Sequence, residues 1–147
     1  MVSSLKRIQE KMKKTITKLG PKYEDARGVI QMILEDESIA SVSIISSKAG
    51  STRASHWHKE DSHYCWVESG EIEYFERPVG SLSTPRFTIV KKGELFYTPP
   101  FVEHEMYFPE DTIFHCYSTL SRKNKDYEKD TTRLNASLKE LVDNRPF

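Results

Sequence analysis

Short runs of β-branched and aromatic residues alternate with turn residues through the middle of the chain. Nine such runs occupy residues 29–34, 39–46, 52–58, 63–68, 71–77, 86–90, 95–97, 103–108 and 112–118. No helical period separates one run from the next, and turn signals such as Ser69-Gly70 lie between them. Many short strands at this spacing predict an all-β fold, either an antiparallel β-barrel or a jelly roll.

The N-terminal region, residues 1–22, has the pattern of an amphipathic helix. Its apolar positions recur at steps of three or four residues and end at the stop signal Gly20-Pro21; they are Leu5, Ile8, Met12, Ile16 and Leu19. The opposite face is basic, as it also is in membrane-surface helices and transit peptides. Because Glu10 interrupts the basic run and no bulky aromatic residue marks the apolar face, we expect a helix that packs on the barrel or on a partner subunit.

The end of the sequence predicts a polar loop followed by a short helix. Residues 121–130 are polar and have no periodic pattern, whereas Leu134, Leu138, Leu141 and Val142 have helical spacing. We therefore divide the chain into an N-terminal amphipathic helix (1–22), a barrel (23–120) and a C-terminal loop and helix (121–147). A length of 147 residues is sufficient for one such domain.

Charge and composition narrow the range of partners. The formal net charge is zero, but residues 23–118 carry sixteen acidic residues against eight basic ones, which argues against a nucleic-acid ligand. Two cysteines, Cys65 and Cys116, are too few for a disulfide framework, and we expect them to be reduced. No apolar stretch approaches the length of a membrane span and no signal sequence is visible, so the sequence predicts a cytoplasmic protein without membrane contact.

Four of the five histidines fall into two short motifs. His56 and His58 are two residues apart on a predicted strand, so their side chains share one face. His63 opens the returning strand of the hairpin and should lie opposite that pair, and His104 opens another strand. Buried imidazoles need hydrogen-bond partners, and one metal ion satisfies all four rings together. All-nitrogen ligation suits one divalent transition-metal ion, with Zn, Ni, Fe, Mn and Cu as candidates.

These motifs resemble those of the cupin family. The spacing of the first cupin motif is kept by Gly50, His56, His58, His63 and Gly70, and that of the second by Gly93, Pro99 and His104. Three positions depart from the family pattern. His63 replaces the usual Glu, Phe101 replaces a Gly and Phe108 replaces an Asn. The resemblance implies a cupin barrel in which the three-His-one-Glu metal site of the family becomes a four-His site.

A narrower similarity is to cupin enzymes that act on sugar nucleotides. Asp25-Ala-Arg27-Gly28 resembles the entry strand of their epimerases and ketoisomerases. His56-Trp-His58-Lys59 and residues 99–107 resemble segments of dTDP-4-keto-6-deoxyhexose 3,4-ketoisomerases. Those relatives usually have a Gln at the position of His63 and are understood to work without metal, with the His-x-His pair transferring protons. The similarity implies isomerase or epimerase chemistry on a sugar nucleotide.

Three functions follow from these patterns. The first is a metal-binding enzyme in which an ion held by His56, His58, His63 and His104 acts as a Lewis acid on a small polar substrate, such as a sugar or sugar nucleotide. A closed four-His site could also be purely structural. The second is a metal-free ketoisomerase or epimerase in which His56 or His58 moves a proton. The third is a non-catalytic metabolite-binding cupin. We favour an enzyme, and we expect a homodimer.

Other side chains are candidates for supporting roles. Arg27, Arg53 and Tyr107 could manage charge at the site, and we place Arg53 and Tyr107 with His56 and His58 as catalytic candidates. Cys65 shares the side of its strand with His63 and either lines the pocket or is a core thiol. His115 is either a partner behind a metal ligand or a core histidine.

Overall fold

The computed structural model of the protein describes residues 15–144. In this range the chain forms twelve β-strands and two short α-helices. In chain order they are β1 (Ile16–Thr17), β2 (Lys22–Asp25), β3 (Gly28–Gln31), β4 (Ser41–Ser47), β5 (Thr52–His58), β6 (His63–Ser69), β7 (Glu71–Pro78), β8 (Arg86–Lys91), β9 (Leu95–Thr98), β10 (Val102–Tyr107), β11 (Thr112–Ser118), α1 (Asn124–Asp130), β12 (Thr131–Arg133) and α2 (Leu138–Asp143). Neither helix in this range has the length and apolar character that crossing a bilayer requires.

Two five-stranded sheets form the body of the molecule. The first sheet has the strand order β1-β9-β6-β11-β4, and the second has the order β12-β5-β10-β7-β8. Neighbouring strands in both sheets pair antiparallel throughout the described residues. The all-β antiparallel architecture predicted from the sequence is therefore confirmed.

Apolar side chains from both sheets meet in one core. They include Cys65, Val67, Phe114 and Cys116 of the first sheet and Ile72, Tyr74 and Met106 of the second. These residues occupy alternate positions of their strands because successive side chains of a strand point to opposite faces. The same alternation carries the polar residues of these strands to the outer surfaces or, at one end of the barrel, into the site described below.

A tight turn at Gly70 carries the chain from β6 in the first sheet to β7 in the second. Gly70 has a φ of +88°, in the left-handed region that favours glycine. A side chain here would also collide with Thr112 and with the carbonyl oxygen of Asp111. Only glycine fits this turn, which explains its place in the sequence motif.

The structure confirms most of the elements predicted from the sequence. The nine predicted strands correspond to β3 through β11, and the limits of β5 and β11 are those predicted. The predicted closing helix is α2, in which Leu138 is fully buried. Ser137 caps this helix by accepting a hydrogen bond from the backbone N–H of Glu140 at 3.3 Å.

Two predictions about the ends of the chain need correction. Most of the predicted N-terminal helix lies outside the described residues, but its last turn is wrong, because Ile16–Thr17 form β1 and pair with β9. Backbone pairing with the free edge of β9 prevails there over the helical spacing of Ile16 and Leu19. The segment 121–130, predicted as a loop, contains α1, and β12 follows it directly.

The hairpin of β2 and β3 forms a separate two-stranded sheet. Its apolar residues Tyr23, Val29 and Ile30 are exposed. The Asp25 carboxylate accepts the backbone N–H of Arg27 at 2.8 Å and pairs with its guanidinium at 2.6 Å. Arg27 is 89% exposed, so the structure does not bring this candidate to the histidines.

Candidate functional site

Two strands of the second sheet and one of the first bring four histidines together at one end of the barrel. His56 and His58 lie on β5, His104 faces His56 across the β5–β10 pairing, and His63 is the first residue of β6. All four side chains are buried. The ring centroid of His56 lies 4.6 Å from that of His58 and 4.7 Å from that of His104. His63 lies 5.2 Å from His104 and 6.1 Å from His58 by the same measure.

A β-bulge in β5 immediately precedes the His-x-His pair. His104 is opposite His56 and Glu105 is opposite Ala54, which leaves Ser55 as an extra residue. Ala54 and Ser55 have φ values of +69° and +59°, a conformation that non-glycine residues rarely adopt. Ser55 is held there by donating its hydroxyl to the Glu105 carboxylate at 2.5 Å. The bulge bends β5 just before His56, at the point where the strand enters the site.

The tautomer of His104 follows from one hydrogen bond. Its Nδ1 lies 3.0 Å from the carbonyl oxygen of Val102, and a carbonyl only accepts. Nδ1 therefore carries the proton, and Nε2 carries the lone pair. This Nε2 is buried and has no hydrogen-bond partner.

His58 is held by the strand that follows α1. Its Nδ1 lies 3.3 Å from the Thr131 hydroxyl oxygen. Thr131 already donates its only hydroxyl proton to the carbonyl oxygen of Tyr127 at 2.6 Å, so toward His58 it acts as an acceptor. Nδ1 of His58 is thus the protonated nitrogen, and its buried Nε2 carries a lone pair without a partner.

Three of the four histidines converge closely. One ring nitrogen each from His56, His58 and His104 lies within 4.8 Å of the other two. His63 belongs to a second, overlapping group, with His58 and Asp61. The predicted four-His set therefore comes together as a compact triad of His56, His58 and His104 with His63 beside it.

Asp61 is a site residue that the sequence reasoning missed. Its carboxylate is buried and lies 3.9 Å from Nδ1 of His63. One oxygen accepts the backbone N–H of Leu120 at 3.1 Å and the hydroxyl of Thr119 at 3.2 Å. The contact of Asp61 with His63 could not be recognised from the sequence, since an aspartate in the charged turn between β5 and β6 is expected to be a solvated turn residue.

Burial keeps the histidines of the triad neutral near pH 7. Loss of solvation, with added repulsion from His58 and His63, lowers the pKa of His56 to about 3. Burial likewise lowers the pKa of His58 and, more strongly, that of His104. Unprotonated rings have free lone pairs, so the triad can accept a metal ion or a proton.

A cavity of about 120 Å³ opens beside the histidines. Its walls include His56, His63 and His104 and the two core cysteines. Two arginines, Arg53 and Arg122, also line it, whereas no acidic residue does so among the described residues. The cavity is therefore lined by imidazole rings and core side chains, with two cationic groups at its edge.

The catalytic candidates chosen from the sequence have different positions relative to this cavity. Arg53 lines it, with its guanidinium donating to the Ser47 hydroxyl at 2.7 Å and to the Ser46 carbonyl at 2.9 Å. Tyr107 does not line it: its ring lies 4.9 Å from the ammonium of Lys139, near α2. The alternation of β10 explains this, because Tyr107 points away from the face that carries Met106.

The aromatic residue at the site is Tyr127 of α1, in the segment predicted as a loop. Its ring lies 5.5 Å from that of His58 and 6.3 Å from that of His56. The Arg122 guanidinium lies over the Tyr127 ring, 4.7 Å from the ring centroid. Tyr127 and Arg122 both lie in a polar segment without hydrophobic periodicity, so neither could be recognised as a site residue from the sequence.

Cys65 and Cys116 are opposite each other on β6 and β11 and are both buried and free. They line the cavity and also belong to the core, so both interpretations of Cys65 hold. Burial raises the pKa of the Cys65 thiol. His115 lies on the other face of β11, 3.1 Å from the Glu68 carboxylate, and is remote from the triad.

The donor set fits a transition-metal ion. Nδ1 of His56 and Nε2 of His58 and His104 are buried nitrogens without hydrogen-bond partners in the described chain. Such atoms are rare in folded proteins and are satisfied when they share an ion. The same three lone pairs also suit proton transfer, so the geometry is compatible with both mechanisms considered above.

The barrel was compared with solved structures. dTDP-4-dehydrorhamnose 3,5-epimerase from Sulfolobus tokodaii matches 84% of this chain and 82% of its own, with a TM-score of 0.65 and 16% identity. The sugar 3,4-ketoisomerase QdtA from Thermoanaerobacterium thermosaccharolyticum, solved with TDP, matches 88% of this chain and 93% of its own, with a TM-score of 0.64 and 17% identity. Both are cupin-fold proteins.

The chain has the cupin fold.

A third similar structure is the capsular polysaccharide assembling protein CapF from Staphylococcus aureus, with a TM-score of 0.59 and 22% identity over 81% of this chain. The chain spans about a third of the length of CapF, since the match covers 35% of that protein. Neither the scan against protein-family models nor the search of curated proteins gave a match.

Two departures from the cupin motifs have structural explanations. Phe101, at a glycine position, has a φ of +59°, the left-handed conformation for which the motif glycine is suited. Its ring lies 5.7 Å from Trp57, and its backbone N–H donates to the carbonyl oxygen of His58 at 2.8 Å. Phe108, at an Asn position, is fully buried against Phe114 and extends the core of the barrel.

Proposed function

We propose that this cupin is an isomerase or epimerase that moves a proton next to the ketone of a nucleotide-linked keto sugar. The observation that carries the proposal is the convergence of the neutral His56, His58 and His104 rings beside a cavity edged by Arg53 and Arg122. The names of the similar structures support the substrate class, since a mutant of the 3,4-ketoisomerase QdtA was solved with TDP-4-keto-6-deoxyglucose and the Sulfolobus protein is a 3,5-epimerase.

The chemistry follows from the state of the histidines. A neutral imidazole takes the proton from the carbon next to the ketone, and the C–H electron pair moves to form an enolate. Return of a proton to the opposite face of the same carbon gives an epimer. Return of a proton to the former carbonyl carbon, with the proton of the neighbouring hydroxyl transferred to the enolate oxygen, gives the isomeric ketone. Arg53 and Arg122 are the cations that can stabilise the oxyanion or bind the diphosphate.

The size of the cavity limits what enters it. At about 120 Å³ it is smaller than the roughly 300–1,000 Å³ of pockets that enclose drug-sized ligands. We infer that only the reacting part of the sugar reaches the histidines. The nucleotide then lies outside, past the stacked pair of Arg122 and Tyr127.

Metal binding is the second candidate function, and the unpartnered ring nitrogens favour it. His56, His58 and His104 would hold the ion, with His63 beside them. A bound divalent ion supplies a Lewis acid to a carbonyl oxygen. If the site binds a metal ion, Asp61 would orient the His63 ring. Arg53 and Arg122 would bind the substrate, as in the metal-free mechanism.

The proposal is tested with TDP-4-keto-6-deoxyglucose in D₂O, followed by ¹H NMR. We expect exchange of the proton at the carbon next to the ketone. A 3,4-ketoisomerase removes the C3 proton and should leave deuterium at C4 of its 3-keto product, whereas a 3,5-epimerase should introduce deuterium at C3 and C5. His58→Ala should slow the exchange by about 100-fold or more, whereas His115→Ala, a histidine outside the cavity, should not. Absence of exchange in the parent protein would reject the proposal and leave a binding module.

Elemental analysis separates the two mechanisms. For a metal-binding site we expect one ion per chain, lost in His58→Ala together with activity, and activity abolished by a chelator. Full activity in chelated protein supports metal-free proton transfer.

The predicted homodimer stays a prediction, as does the cytoplasmic location. Val42 and Ile44 on the outer face of the edge strand β4 are 66% and 68% exposed and support an interface there. Light scattering of Ile44→Lys against the parent chain tests it, and a mass of one chain in both would contradict it.

A further inference from the structure

The segment after the barrel returns to the histidine site. β12 pairs with β5, and Thr131 is opposite His58 in that pairing. Asp130, the last residue of α1, has a mostly buried carboxylate directly before this contact. The end of α1 therefore lies against the back of His58, on the side away from the triad.

The Asp130 carboxylate holds the loop between β5 and β6. One oxygen accepts the backbone N–H groups of Lys59 and Glu60 at 3.1 and 2.9 Å, and the other accepts that of Asp61 at 2.9 Å. Three consecutive N–H groups on one carboxylate fix the shape of a loop more strongly than neutral acceptors do. This loop connects His58 to His63 and carries Asp61, so Asp130 is bonded to the segment that joins the two histidines.

The same carboxylate faces His58. Its second oxygen lies 3.7 Å from Nδ1 of His58, beside the Thr131 hydroxyl oxygen at 3.3 Å. Two acceptors around Nδ1 favour the tautomer in which this nitrogen carries the proton. The Nε2 lone pair then points toward His56 and His104.

We propose that Asp130 and Thr131 form a positioning pair that fixes the His58 ring in its Nδ1–H tautomer and holds the 59–61 loop in register with it. Such outer partners of a working histidine orient the ring and raise its basicity. The consequence for turnover rests on the function proposed above, whereas the tautomer and the loop contacts do not.

The tautomer is measured by ¹⁵N NMR of the histidine rings in the full chain, with the His58 signals assigned through His58→Gln. In the parent protein we expect Nδ1 to be protonated and Nε2 to be unprotonated near pH 7.5. Thr131→Val should convert a measurable fraction of His58 to the Nε2–H tautomer, and Thr131→Ser should restore the parent signals. An Nε2–H tautomer in the parent, or identical signals in Thr131→Val, would overturn the proposal.

Asp130→Asn tests the loop contacts, with Asp126→Asn on the exposed part of the same helix as its control. We expect faster amide hydrogen exchange at residues 59–61 and a shift of the His58 ring signals in Asp130→Asn only. Unchanged exchange and ring signals would contradict the assignment of Asp130.

Kinetics connects the pair to the proposed function. With TDP-4-keto-6-deoxyglucose we expect Thr131→Val to lower kcat about 10- to 100-fold with little change in KM, and Thr131→Ser to recover most of it. An equal loss in both variants would show a packing role and overturn the positioning role. If the parent protein itself is inactive, the proposed function fails, and the NMR result still decides the tautomer.

Discussion

The two ends of the barrel interior differ in chemistry although the same strands line both. At one end the inward residues are polar: His63 faces Ser118, and His104 faces Glu76 across neighbouring strands. At the other end the inward residues include fully buried apolar side chains, with Val67 opposite Phe114. Between them lies an intermediate layer that includes Cys65, Cys116, Met106 and Tyr74.

This gradient separates stability from chemistry along each strand. The apolar end buries large side chains, which is the main favourable contribution to folding. The polar end keeps five buried nitrogen and oxygen atoms without hydrogen-bond partners in the described chain, on the four histidines and on Glu76. Unpartnered buried polar atoms oppose folding, so the site persists because the rest of the barrel holds it.

The largest effect on stability should come from the apolar end. Phe108→Ala removes a fully buried ring stacked at 5.7 Å on Phe114, and we expect the free energy of unfolding to fall by about 3–5 kcal/mol. Urea denaturation measures this, with Phe108→Leu as the milder control. Near-parent stability of Phe108→Ala would mean that the stable core lies elsewhere.

The next effect concerns Glu76, at the polar end. Burial raises the pKa of Glu76 from 4.5 to about 7, although the Thr15 hydroxyl donates to it. The folded state thus holds this proton more tightly than the unfolded chain, so its contribution to stability is full below pH 4.5 and is lost as the pH rises through 7. In the parent protein this group should lower the free energy of unfolding by about 3 kcal/mol between pH 4.5 and 8. Glu76→Gln should abolish that decrease.

The measurement is urea denaturation at several pH values, with Glu73→Gln as the control. Glu73 lies on the same strand, and its carboxylate reaches the Lys139 ammonium at 4.0 Å. The same decline with pH in the parent and in Glu76→Gln would contradict the expected titration of Glu76.

A smaller effect on stability is expected when a site histidine is replaced by an apolar residue. His104→Leu removes the unpartnered Nε2 atom along with one hydrogen bond to Val102, so the free energy of unfolding should change by less than about 1 kcal/mol. Proton exchange on the keto sugar should nevertheless fall by about 100-fold. A loss of stability as large as that of Phe108→Ala would remove the distinction between the two ends.

The smallest effect should come from a residue that belongs to neither end. Ile30 on the separate β2–β3 hairpin is 62% exposed, and we expect Ile30→Thr to change the free energy of unfolding by less than about 0.5 kcal/mol. This gives the baseline against which the other variants are judged. A larger loss would indicate that another surface covers the hairpin.

The strands could be predicted because their signal is local. Alternation of β-branched and aromatic residues with turns located β3 through β11, and the two-residue spacing of His56 and His58 placed both rings on one face. The spacing of the motifs also brought His104 to them. Such patterns depend only on the geometry of a single strand, so they can be recognised without knowledge of the tertiary structure.

The rest of the site depends on contacts between distant segments. Tyr127, Asp130 and Thr131 lie in or just after a polar helix without periodicity, and only the pairing of β12 with β5 brings them to His58. Tyr107 lies outside the cavity for the opposite reason, since it is near His104 in sequence but on the outer face of β10. Similarly, Ile16 has helical spacing, yet its backbone completes the edge of the first sheet.

The contact between Asp130 and the 59–61 loop also has a consequence for the order in which the site is assembled during synthesis. A ribosome makes β4 through β11 before α1, so the strands that carry the histidines are complete before Asp130 and Thr131 are added. The ring acquires its acceptors only when Asp130 and Thr131 have been made and have docked. The groups that hold the His58 ring are therefore synthesised after every strand that carries a histidine of the triad.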